Sequence, residues 1–349
     1  MIPRRDLLKR LSAVAAAAGL PLAASAAPAP DATGDGGPKP SPATDRVGEL
    51  LPTRTLGRTG EQVTLLGLGG HHVGQPDTDK EAEALVDAAL AGGIRFVDTA
   101  VSYQSGGSES RMGRILVPKY RDVVYLMSKT NAKDAAGVRG QLDGSRQRMG
   151  VDVIDLYQVH SIESVADVDE RIDNGVVDAL LEAKEAGTVR HLGFTGHRDP
   201  AAFHHMLDRL GKMGVKFEAA QMPMNVIDRG YVSYLETVLP RLVAEGYGVL
   251  AMKTLAGGNL AGKDESWGGN SPPPISVIPD RISLAEAFGY VWSLPTSCLI
   301  SGMNNPDHLE QNLAAARGYS GMTPKEADAV LARVADQAGR QIEFYKMQA

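Results

Sequence analysis

From Thr53 onward, short and continuously apolar runs alternate with segments whose apolar residues recur at helical spacing. The first unit differs. Residues 53–56, a Gly57-Arg58-Thr59-Gly60 turn and residues 61–63 predict a small β-hairpin. Residues 65–69 then predict a buried strand, with a helix over 80–91 behind it. Residues 95–98, 123–129 and 155–160 predict strands two to four, with helices over 108–116, 138–149 and 176–186. The same alternation continues through strands at 189–195, 219–222, 248–253 and 297–301. Helices are expected among them at 201–213, 234–245 and 284–294. Another begins at Pro306 with Asn305 as its N-cap, and a last one is expected over 323–346.

Apolar strands alternating with helices argue a parallel sheet covered on both faces. Eight such units predict an α/β protein: a (β/α)8 TIM barrel with an N-terminal β-hairpin and a C-terminal extra helix. An open, doubly wound sheet needs a Gly-x-Gly-x-x-Gly turn after its first strand. Here that turn reads Gly67-Leu68-Gly69-Gly70-His71-His72 and lacks the third glycine.

The first 50 residues are of another kind. Arg4-Arg5 is followed by Leu7-Leu8-Lys9, an Ala-rich stretch over 11–24 and Ala24-Ser25-Ala26. That is the layout of a cleavable export signal, too short for a spanning helix. The arginine pair resembles a twin-arginine signal, the type that exports folded proteins. Residues 1–26 are therefore expected to be a signal peptide, 27–51 a flexible Pro-, Gly- and Asp-rich linker, and 52–349 the barrel. The layout implies the twin-arginine export machinery as a partner, no stable membrane anchor after cleavage, and a periplasmic or extracellular location.

Composition narrows the chemistry. The chain is 43% hydrophobic and 22% charged, with a formal charge of -6 and no basic block that would mark a nucleic-acid footprint. Its one cysteine, Cys298, excludes an intrachain disulfide and a Cys-based metal site. His71 and His72 stand at the rim after strand one, but nothing else at ligand spacing joins them, so no metal is expected.

In such a barrel the active site lies where strands end at the C-terminal face. Asp98 closes strand two, Lys129 strand three and His160 strand four, while Tyr103 follows Asp98 in the next loop. Carbonyl reduction needs a hydride at carbon and a proton at oxygen. A phenol with pKa ~10 is a poor acid at neutral pH unless a cation stabilises its phenolate. Lys129 is expected to supply that cation and Asp98 to hold it. His160 would donate to the carbonyl oxygen.

These residues carry a resemblance. Phe96-Val97-Asp98-Thr99-Ala100-Val101-Ser102-Tyr103, with Gly107-Ser108-Glu109 after it, resembles the aldo-keto reductase motif around its catalytic Asp and Tyr. Ser128-Lys129-Thr130 resembles the lysine segment, and Asp155-Leu156-Tyr157-Gln158-Val159-His160 the histidine segment. The resemblance runs from about residue 56 to 313. It implies an oxidoreductase with Tyr103 as proton donor, NADP (or NAD) as cofactor and a small carbonyl or alcohol as substrate. His71 and His72 would then line the substrate pocket.

For the cofactor, the resemblance implies Gln221 and Thr195 at the nicotinamide carboxamide, although Gly196 replaces an amide side chain common there. Met252 stands where many members stack a tyrosine, with Lys253 and Leu255 next along the pyrophosphate path. Ser301, Met303, Asn304, His308, Gln311 and Asn312 resemble the segment around the adenosine phosphate, without the Lys or Arg that a 2′-phosphate usually recruits. The loop over 255–279, with Trp267 and Pro272 to Pro274, is expected to cover the mouth. Two other readings stay open: a nicotinamide-binding regulatory or sensor barrel without turnover, and a metal-dependent barrel hydrolase.

Overall fold

In the computed structural model, residues 43–261 and 276–346 are described. The expected signal peptide, most of the linker and the central part of the 255–279 loop lie outside the described residues. The hairpin forms as expected, β1 (Thr53–Thr55) pairing antiparallel with β2 (Gln62–Thr64). The barrel strands are β3 (Leu66–Gly69), β4 (Phe96–Asp98), β5 (Tyr125–Thr130), β6 (Ile154–Val159), β7 (Val189–Thr195), β8 (Ala219–Pro223) and β9 (Gly248–Met252). A short antiparallel pair, β10 (Ser276–Val277) and β11 (Ile282–Ser283), precedes the last barrel strand, β12 (Cys298–Ser301). Among the described residues these eight parallel strands close in the order β12-β3-β4-β5-β6-β7-β8-β9.

Alternation along each strand sorts the side chains into two cores. Inward residues such as Phe96, Met127, Leu156, Leu250 and Ile300 form one cluster, closed by Leu56 and Val63 of the hairpin. Outward residues such as Val97, Leu126, Val159, Phe194 and Leu299 belong to a second, larger core with the helices. Arg54 fastens the hairpin to the barrel by donating to the carbonyls of Trp292, Leu294 and Thr296. Both faces of β5 and β6 are buried, which is why these strands read as unbroken apolar runs ended by polar residues.

Three expectations need correction. The linker expected over 27–51 ends sooner than its composition suggests. Thr44 bridges Glu49, Leu51 is buried, and Asp45 pairs with Arg95 through contacts of 2.5 and 2.9 Å. Charge pairing fifty positions apart ties this segment to the barrel. Asp45→Ala should therefore lower stability by about 1–2 kcal/mol in chemical denaturation. The Arg95 guanidinium holds the Asp45 carboxyl down at about 2, so the wild-type advantage is present above the ordinary carboxylate range and lost as pH falls toward 2.

The helix expected over 234–245 is broken into Tyr234–Thr237 and Leu239–Ala244, because Pro240 has no N–H for the carbonyl four residues back. The last helix is also shorter. It covers Pro324–Val334, a 3-10 turn follows over Ala335–Gln337, and the chain then turns at Gly339. The tail returns to the barrel, where Lys346 is fully buried against Asp228 at 2.6 Å and Glu343 at 2.7 Å. A further helix, Val165–Asp173, begins at a Ser164 cap where no helix was expected.

Candidate active site

Local chemistry at the ends of β3 and β4 builds the rim. Gly70 opens the short helix Gly70–Val73, and a Cβ there would come within 2.0 Å of the Asp98 carbonyl oxygen. Only glycine permits that approach, and it sets His71 and His72 on the rim. Ser108 locks the arrangement, donating to the Gly70 carbonyl at 2.8 Å and bonding Thr99 at 2.8 Å. Its neighbour Glu109 is fully buried and accepts from Ser128 at 2.5 Å and Arg148 at 2.8 Å. The Gly-Ser-Glu stretch thus holds the residue before Lys129.

The four expected catalytic residues meet on this rim. The Lys129 ammonium is buried, donates to Asp98, to the Thr99 carbonyl at 2.9 Å and to the Tyr103 hydroxyl at 3.1 Å. The His160 ring stands edge-on to Tyr103, with centroids 5.6 Å apart, and His71 approaches Tyr103 in the same way at 5.2 Å. Just past Tyr103, Gln104 and Ser105 take left-handed φ values of 47° and 52°. Such conformations cost roughly 1–2 kcal/mol each, and Gln104 offsets part of this by donating to the His71 carbonyl at 3.2 Å.

Electrostatics departs from the sequence expectation at one point. Burial alone would push Lys129 toward neutrality, but the Asp98 carboxylate outweighs it and holds the ammonium charged. The Tyr103 phenol is raised rather than lowered: burial comes first, Asp98 adds to it, and Lys129 pulls the other way without winning. Lys129 still favours the phenolate through its charge and hydrogen bond, but burial and Asp98 together outweigh it. Tyr103 therefore stays protonated at neutral pH. His160 is held well below its ordinary value by burial, then by Lys129 and other cations around it, so its imidazole is neutral.

One cavity opens beside these groups. His71, His72, Asp98 and Tyr103 line one side. Gln221, Met252, Lys253 and Leu255 line another, and Ser301, Asn304, His308 and Asn312 its far end. His308 and Asn312 share one face of the helix Pro306–Gly318, and Asn304 lies just ahead of its Asn305 cap. Thr195 is buried beside Gln221 in the β7–β8 ladder. Three expected cofactor residues, Thr195 among them, are not part of the cavity wall. Met303 is fully buried within the helix-side core, and Gln311 is half-buried without lining the cavity. Lys253 has a left-handed φ of 57°, and burial brings its ammonium down to about 7.

The wall fits a nicotinamide dinucleotide. Gln221 Oε1, Thr254 Oγ1 and Asn312 Oδ1 are buried with no hydrogen-bond partner among the described residues. Polar atoms left this way are costly unless a ligand or water meets them. The helix Pro306–Gly318 starts just past Ser301, and helix N-termini favour phosphate.

Sequence reading missed several residues of this region. Ser102 Oγ lies 3.2 Å from His160 Nδ1, across 58 positions of chain. Gln158 is paired in register with Lys129 and fully buried, with neither amide atom partnered among the described residues. Tyr345, from the returning tail, sits 6.0 Å from the His197 ring, and Lys253 Nζ lies 5.7 Å over its face. Asn225 pins that tail, donating to Glu343 at 2.8 Å and to Tyr345 at 3.1 Å.

A closed parallel barrel with a buried carboxylate, ammonium and phenol on its C-terminal rim defines a class, the nicotinamide-dependent oxidoreductases of carbonyl and alcohol groups. The family model for the aldo/keto reductase family matches residues 65–272, and the chain belongs to that family. It is 28% identical over 306 residues to L-galactose dehydrogenase of Arabidopsis thaliana, covering 80% of this chain and 93% of that protein. It is 25% identical over 292 residues to L-glyceraldehyde 3-phosphate reductase of Escherichia coli (strain K12), covering 79% of each. The holo form of an aldo-keto reductase from Bacillus halodurans superposes with a TM-score of 0.66 at 20% identity, over 81% of this chain and 96% of that one.

Proposed function

We propose that the protein reduces a small aldehyde, ketone or sugar, or oxidises the matching alcohol, with Tyr103 as the proton donor. The observation that carries this reading is the buried chain from Asp98 through Lys129 to a Tyr103 hydroxyl at the cavity. When bound, a reduced nicotinamide supplies the hydride. Tyr103 gives its proton to the substrate oxygen, and Lys129, 3.1 Å away, stabilises the phenolate left behind. Asp98 keeps Lys129 charged and fixed. His160, being neutral, donates a hydrogen bond to the same oxygen and orients it. The named relatives act on L-galactose and on L-glyceraldehyde 3-phosphate, which supports a hydroxylated carbonyl or its alcohol as substrate.

Gln221 and Thr195 would hold the carboxamide, Met252 would flank the nicotinamide, Lys253 and Leu255 would meet the pyrophosphate, and Ser301, Asn304, His308 and Asn312 the adenosine end. NADP is the proposed dinucleotide. Because no Lys or Arg lines the adenosine end among the described residues, its margin over NAD is expected to be modest, within about tenfold. Fluorescence titration with NADPH and NADH measures it, and a ratio of dissociation constants near one removes the preference.

Export in the folded state, through the arginine pair, belongs to the same proposal. A folded export route suits an enzyme that must acquire its dinucleotide where that molecule is made. Changing Arg4 and Arg5 to lysine should leave the protein in the cytoplasm, read by cell fractionation. Unchanged export of that variant would remove the twin-arginine route.

A further inference from the structure

We infer that Ser102 is a positioning residue for His160, fixing the imidazole so that its Nε2–H faces the substrate oxygen. This rests on the reading of Tyr103 and His160 proposed above. The Ser102 hydroxyl stands 3.2 Å from His160 Nδ1, and the His160 backbone is itself fixed by its N–H donating to the Thr130 carbonyl at 2.8 Å. Ser102 also immediately precedes Tyr103, so one hydroxyl ties the loop carrying the acid to the strand end carrying the imidazole.

The chemistry follows from the donor and acceptor inventory. A neutral imidazole has one N–H and one lone pair, and the partner of one nitrogen decides what the other can offer. A substrate carbonyl oxygen only accepts, so His160 assists it solely as the Nε2–H tautomer. That tautomer leaves a lone pair at Nδ1, which needs a donor, and the Ser102 O–H is in place to donate. The two bonds then run in one direction, from hydroxyl to Nδ1 and from Nε2–H to the carbonyl oxygen, each polarising the next. His160 is mostly enclosed and surrounded by cations, so protonation does not supply a second N–H at neutral pH. A serine hydroxyl can also turn and accept, so the device carries no penalty in the free enzyme.

Ser102 is solvent-exposed, so substitutions there test the site without testing the fold. In the purified protein with saturating NADPH, Ser102→Ala should lower kcat about three- to tenfold, the worth of one neutral hydrogen bond, with little change in cofactor affinity. Ser102→Thr, which keeps the hydroxyl, should restore most of it. Ser102→Asp gives the sharper signature. A carboxylate only accepts, so it draws the proton to Nδ1 and leaves a lone pair at Nε2. It also raises the His160 pKa, and below that raised value both nitrogens carry hydrogen. The variant's kcat should therefore fall as pH rises through that value, where the wild type is flat. A flat profile for Ser102→Asp, wild-type turnover in Ser102→Ala, or no recovery in Ser102→Thr would each overturn the assignment. Should Tyr103→Phe itself keep full turnover, the failure would lie in the reductase reading, and that outcome is separable because it does not involve Ser102.

Discussion

Replacing Tyr103 with phenylalanine should abolish carbonyl reduction, by roughly a hundred- to ten-thousandfold, the usual worth of a positioned general acid. The variant keeps the ring that packs edge-on to His71 and His160 and loses only the oxygen that meets Lys129. Binding of NADPH should therefore change little. The paired measurement is steady-state turnover and a cofactor titration on the same preparation. Loss of turnover with intact binding is the expected result, and full turnover removes Tyr103 from the chemistry. The wild-type pH profile carries a related expectation. Burial raises the Tyr103 phenol and lowers the His160 imidazole, so neither titrates near neutrality and kcat at saturating NADPH should be flat there, while Lys253, at about 7, would make cofactor affinity weaken as pH rises.

Replacing Lys129 with methionine should cost both activity and stability. The ammonium and its Asp98 partner are almost fully buried, 1% and 3% exposed. Removing one member of a buried pair leaves a charge without compensation, at about 3–5 kcal/mol. Asp98 would escape by taking a proton, since burial already favours its neutral form. A folded-state carboxyl pKa above its unfolded value is a penalty that grows as pH rises past the unfolded value and disappears below it. The Lys129→Met deficit should thus be large at neutral pH and shrink as pH falls toward 4, where carboxylates ordinarily protonate. Combining it with Asp98→Asn should recover much of the stability and none of the turnover. Denaturant titrations at two pH values check this, and a deficit independent of pH would mean that Asp98 is not the group left exposed.

Much of the fold was legible because the barrel imposes a simple pattern. Strands such as Tyr125–Thr130 and Ile154–Val159 are buried on both faces, so they stand out as apolar runs between helices. Asp98, Lys129 and His160 stood out for the same reason, each a polar residue ending an apolar run. What stayed hidden depends on partners far apart in sequence. The spacing of Glu343 and Lys346 suits an ordinary helix surface, and only the tail's return reveals Lys346 buried between Glu343 and Asp228, the latter 118 positions away. Asp45 looked like linker composition until Arg95 was placed beside it. Met303 was assigned to the adenosine end by the resemblance of its segment, yet its apolar side chain turns to the core. The direction of the Tyr103 pKa was misjudged because burial, which raises it most, and the Asp98 charge together outweigh the pull of Lys129, and burial depends on packing that the sequence does not display.

The most direct test is to titrate the purified protein with NADPH, then add a panel of aldehydes, ketones and keto-sugars while following the nicotinamide absorbance. Saturable binding followed by carbonyl-dependent oxidation of the nucleotide, lost in Tyr103→Phe, is the predicted result. Binding of neither NADPH nor NADH, or oxidation that survives the loss of the Tyr103 hydroxyl, would contradict it.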